Sequence, residues 1–150
     1  MIARTYRLAI WLGGLALLAA AMIDTVSVTG RNLGSGFHGS IELIQAAVLV
    51  AGAIALAIAV GSRTYARVHL LTERVSDSGK LWMERAAIVL VALFFLFILA
   101  GSTWIAADLW SGQELSEVMG VPWRWMRLFA NLCFVAAILI ALRQLWGPRR

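Results

Sequence analysis

The sequence holds one cysteine, two prolines and two histidines in 150 residues, and only 14% of it is charged. The single cysteine, Cys133, excludes an internal disulfide and a Cys–Cys redox pair; inside an apolar run it reads as a small buried hydrophobe. His38 and His69 flank an apolar run of bilayer length, so they cannot ligate one haem or one metal ion. The sequence has no Cys/His cluster, no phosphate-cradling glycine loop and no evident nucleophile–base pair. It has no internal repeat, low-complexity tract or Pro/Gly-rich linker, and its connectors are too short for a separate soluble domain. These absences argue against catalysis and against a resident cofactor or metal.

What is present is hydrocarbon: 61% of the residues are hydrophobic and the mean hydropathy is +0.84. The apolar residues fall into four runs, predicting an all-α integral membrane protein with spans at about 8–28, 41–61, 86–108 and 122–143, within one membrane domain over 1–150. Leu43 to Val60 contains one polar side chain, Gln45, and at ~1.5 Å per helical residue such a run reaches about 27 Å, close to the hydrocarbon thickness. The first run has a competing reading as a signal peptide, with a basic start and Ala19-Ala20-Ala21, but it continues past the alanines to spanning length. Trp82, Trp104, Trp110, Trp123, Trp125 and Trp146 stand near span ends, as an aromatic belt would place them.

A net charge of +5 would suggest nucleic acid in a soluble protein, but here the charge flanks apolar spans, and no nucleic-acid partner is expected. Four spans put both termini on one side. Arg4, Arg7, Arg63, Arg67, Arg74, Lys80, Arg85, Arg143, Arg149 and Arg150 fall on that side; the other three of the 13 basic residues, Arg31, Arg124 and Arg127, fall opposite. The positive-inside rule then predicts cytoplasmic termini.

Ala47, Ala51, Ala55 and Ala59 recur at every fourth position of the second span. On a helix this makes a stripe of small side chains, suited to close contact with another helix. Ser40 is the expected N-cap of that span, and Glu42 would lie in its first turn, where the helix dipole favours an anion. Between the second and third spans, Val68, Leu71 and Val75 fit either a short amphipathic surface helix or a solvated loop. Pro122 suits the first turn of the fourth helix.

Chemistry at depth is sparse. Asp24, Glu42 and Asp108 lie near the outer ends of their spans, where carboxylates cap helices or meet water. Gln45, Ser102 and Asn131 are intramembrane polar groups suited to interhelical hydrogen bonds. The mid-span segments 15–20, 50–55, 94–99 and 135–139 carry no charge, proline or polar side chain, so four helices so lined offer no polar path for a solute. Glu114 and Glu117, with Arg124 and Arg127, form either a solvated outer loop or a charged rim for a soluble partner.

The chain resembles the small membrane subunit of tripartite ATP-independent periplasmic (TRAP) transporters over roughly 25–146. Four features carry the likeness: Arg31 after the first span with Glu42 opening the second; the loop Gly61-Ser62-Arg63-Thr64-Tyr65-Ala66-Arg67-Val68-His69-Leu70-Leu71; an acidic outer loop leading to Gly120-Val121-Pro122-Trp123; and the fourth helix. In the loop, Tyr65 and His69 stand where the family often has histidine and aspartate, while Arg67 and Val68 match. The residues carried over are therefore Arg31, Glu42, Arg67, Pro122 and Trp123. The resemblance implies a non-enzymatic scaffold subunit in a bacterial inner membrane. It implies two partners: a large permease subunit holding the substrate and sodium sites, and a periplasmic substrate-binding protein delivering an organic acid. The competing function is a stand-alone small proton-coupled exporter, which would want a carboxylate deeper than Asp24.

Overall fold

A computed structural model describes residues 2–62, 77–110, 112 and 115–146. Among these residues the chain is built on four helices: α1 (Ile2–Asn32), α2 (Ser40–Gly61), α3 (Asp77–Asp108) and α4 (Trp123–Trp146). Each is long and apolar enough to cross a membrane. α1 and α3 exceed the expected spans at their ends: α1 by six residues at its start and α3 by nine. The helical hydrogen-bond ladder extends past the apolar run into the interface, because backbone groups there still gain by pairing with each other. The proposed surface helix at 68–75 lies outside the described residues.

The helices pack in the order α1–α2–α4–α3, each chiefly on its neighbour in that series, so the arrangement is an open row with α1 and α3 at its edges. The main core lies at the three-helix part of the row. Val60 of α2, Ile88 and Phe95 of α3 and Ala137 and Ala141 of α4 are buried together, with Phe134, Ile138 and Leu145 half-buried around them. Phe95 sits against Phe134 with ring centroids 6.0 Å apart, and Ala137 opposite has no exposed surface. Alternating large and small side chains lets the two helices interdigitate. Phe94, Leu96 and Phe97, beside Phe95 in sequence, are exposed.

The α1–α2 contact is of a different kind. Gly13, Ala20 and Ser27 of α1 are buried and Ala9, Ala16, Ile23 and Gly30 half-buried, a set spaced alternately by four and three residues. That average of 3.5 keeps one seam on one face of the helix, and nearly all its members are small. Gly13 faces Ile54, and Ser27 faces Ser40. The same antiparallel register sets Ala16 level with Ala51 and Ala20 level with Ala47.

α1 ends in a defined stop. Gly34 adopts a left-handed φ of 78°, the Ser35 N–H donates to the Gly30 carbonyl at 2.8 Å and the Gly34 N–H to the Arg31 carbonyl at 3.3 Å. This paired 6→1 and 5→2 pattern satisfies carbonyls that the helix end would leave open. A Cβ on Gly30 would come within 2.5 Å of the Ser35 carbonyl oxygen, so the turn needs a glycine there as well.

Candidate functional site

Among the described residues, polar bonds tie elements together at both ends of the helices. At the end bearing the 33–39 connector, the hydroxyls of Ser27 and Ser40 hydrogen-bond at 2.7 Å across the α1–α2 seam, buried. Ser40 is thus not the N-cap. Gly39 holds that position with no side-chain cap bond, because the Ser40 hydroxyl, in the first helical turn, points into the seam. At the opposite end Gln144 Nε2 donates to the Val60 carbonyl at 2.7 Å. Val60 lies in the last turn of α2, where a capping backbone N–H also reaches its carbonyl, so Gln144 adds a second donor from α4.

Glu42 makes a second long-range polar contact, 76 and 77 residues along the chain. Its Oε1 accepts from the Val118 N–H at 3.0 Å and its Oε2 from the Met119 N–H at 2.8 Å. The receiving segment is a closed turn. The Ser116 N–H donates to the Val121 carbonyl at 3.0 Å, the Gly120 N–H to the Ser116 carbonyl at 3.2 Å and the Val121 N–H to Ser116 Oγ at 2.9 Å. Gly120 reverses the chain with φ 65°, and Leu115 pairs with Pro122 across the base. Beneath the turn, a Cβ on Gly39 would come within 2.6 Å of Met119 Cγ and Sδ, so glycine lets the methionine lie on the start of α2.

The candidate residues are distributed as follows. Glu42 and Pro122 both belong to this end of the helices, Glu42 bonded to the turn and Pro122 at its base, one residue before α4. Trp123 opens α4 half-buried, and Arg31 is exposed in the last turn of α1. Arg67 lies outside the described residues, as do His69 and Glu114. Of the alanine ladder, Ala51 is buried, Ala47 and Ala59 are half-buried and Ala55 is exposed. Steps of four residues advance about 40° beyond a full turn each time, so the ladder winds around α2 and does not hold one face. The intramembrane polar groups also divide: Gln45 is exposed, Ser102 half-buried and Asn131 buried with no partner for its Oδ1 among the described residues.

Of the residues that join helices, Ser27 and Gln144 were not singled out in the sequence, and Ser40 was read there as an N-cap. The signal for Ser27 was legible as the four–three spacing of small residues from Ala9 to Gly30. Gln144 carries no such signal, since one amide near a span end is equally a solvated residue.

Asp24 and Asp108 are exposed at helix positions. Among the described residues no three His, Cys, Asp or Glu side chains come together as a set that could hold a metal ion. Among the described residues the long-range polar contacts join helices and a connector.

No curated protein matches this chain as a relative. The family model for tripartite ATP-independent periplasmic transporters, DctQ component, matches residues 20–150, which takes in all of α2, α3 and α4 and the C-terminal part of α1. Four apolar spanning helices joined at their ends, with that match across most of the sequence, make this chain a member of the DctQ component family of the tripartite ATP-independent periplasmic transporters.

Proposed function

We propose that the chain is the scaffold subunit of a TRAP-type secondary transporter. It acts as one membrane domain with cytoplasmic termini in a bacterial inner membrane and packs against a large permease subunit. In this reading a periplasmic binding protein delivers an organic acid, and a sodium gradient drives its uptake through the large subunit. The observation that carries the reading is the open row: four spanning helices with no charge in their mid-span segments leave broad apolar faces and no polar path of their own. On α2, Gly52 and Ala55 are exposed near one another, which supports α2 as a surface another helix approaches closely.

The decisive experiment is reconstitution. Purified chain in liposomes is expected to accumulate no organic acid under a sodium gradient, and accumulation is expected once the large subunit and binding protein are added. Accumulation by the chain alone would overturn the scaffold reading. For the orientation, single cysteines replacing Ser35 and Ser78 in a Cys133→Ala background are expected to label from outside the cell and from the cytoplasm, respectively. The reverse pattern would overturn the topology.

A further inference from the structure

We propose that the turn Ser116–Gly120 is a receptor for a carboxylate, filled in this structure by Glu42, and that the pair forms a latch holding the α3–α4 connector on the start of α2. The receptor is made of main chain. Two consecutive N–H groups, of Val118 and Met119, point the same way, and each takes a different carboxylate oxygen, at 3.0 and 2.8 Å. Successive N–H groups that converge in a turn form a concavity suited to an anion, and bonds to an ionised acceptor are the shorter and stronger ones. The Ser116 hydroxyl and the Glu117 N–H also bear on the carboxylate.

Three bonds internal to the turn, together with the left-handed Gly120, set this shape without help from Glu42. The receptor is therefore preformed, and Glu42 is its occupant rather than its frame. Glu42 stands in the first turn of α2, and its partners are 76 and 77 residues away in the chain, so the contact couples the start of α2 to the α3–α4 connector. Val118 and Met119 are exposed, which leaves the receptor accessible to a carboxylate from solution when Glu42 is withdrawn.

Chemical rescue tests both parts. Hydrogen–deuterium exchange is followed on the full chain in nanodiscs, reading the peptide that contains Val118 and Met119. Glu42→Ala is expected to speed exchange there about tenfold, since each charge-assisted bond lost removes protection. Peptides spanning 131–141 of α4 serve as the check on folding and are expected to keep their protection. Sodium acetate is expected to restore slow exchange in Glu42→Ala, and sodium chloride at equal ionic strength is not. In Glu42→Ala with Gly120→Ala, acetate is expected to restore nothing, because the turn no longer presents its N–H groups together. Unchanged exchange in Glu42→Ala would overturn the latch. Loss of protection that acetate restores no better than chloride would overturn the receptor.

Discussion

The two ends of the helix row hold together by different means. The α1–α2 seam is made of small side chains, with Gly13 against Ile54 and alanines level with alanines. The α3–α4 seam is made of unequal ones, with Phe95 and Ile88 set among Ala137, Ala141 and Phe134. In lipid, apolar burial gives no net drive for helices to associate, so each seam relies on packing quality and on a few polar bonds. The small seam lets Gly13 lie against Ile54 and the Ala51 carbonyl and adds one hydroxyl pair, Ser27–Ser40. The unequal seam gains interdigitation at a few positions. Its α4 is also pinned to α2 by Gln144, which donates to the Val60 carbonyl in the last turn of α2. The contrast teaches that α1, an edge helix on one neighbour, has room to yield, whereas α4, between two neighbours, does not.

The largest effect should follow from overpacking the helix that cannot move. Ala137→Leu fills a position with no exposed surface between α2 and α3. It is expected to cost about 1–3 kcal/mol, by analogy with tightly packed cores. Reversible unfolding in mixed detergent micelles, followed by tryptophan fluorescence, would read this, and an unchanged midpoint would mean that α4 is as free as α1.

A smaller loss is expected at the edge. Gly13→Leu pushes α1 away from Ile54, but α1 can shift outward into lipid, so the cost should stay near ~1 kcal/mol. Gly13→Ala separates the two seams more sharply. Its Cβ would meet Ile54 Cγ2 at 3.6 Å, ordinary contact, while alanine relieves up to about 1 kcal/mol of helix-propensity cost. The same unfolding assay should find Gly13→Ala neutral or stabilising; destabilisation would mean that the seam is tighter than its distances indicate.

The smallest effect belongs to the hydroxyl pair. Ser27→Ala removes one buried interhelical bond and is expected to cost about 0.6 kcal/mol, typical of such bonds in membranes. Combining it with Ser40→Ala should add little, because both changes remove the same bond. Additive losses in that double-mutant cycle would show that the hydroxyls act on separate partners.

The spans could be read from apolar run length because a bilayer imposes that length on any helix crossing it. The four spanning helices accordingly stand where hydropathy placed them, and the family likeness of the chain is met by the family match over residues 20–150. The packing faces were only half legible. The ladder at 47, 51, 55 and 59 was conspicuous because it is uniform, yet its four-residue period winds around the helix and leaves Ala55 exposed. The seam on α1 is mixed in residue type and was easy to pass over, although its 3.5-residue average is the spacing that stays on one side.

The sequence by itself determined that the chain is helical, that it spans a membrane and that its mid-span segments carry no charged or polar side chain. Hydropathy and the need to satisfy every backbone hydrogen bond in hydrocarbon act on each segment separately, so local composition was enough. Only the tertiary structure decided the order of the row, the pairing of Gln144 with Val60 and the use of Glu42. A carboxylate in the first turn of a helix can serve its own helix dipole or reach a neighbour. Which it does depends on whether two N–H groups from a turn 76 and 77 residues away arrive within hydrogen-bond distance, and that is a property of the assembled helices.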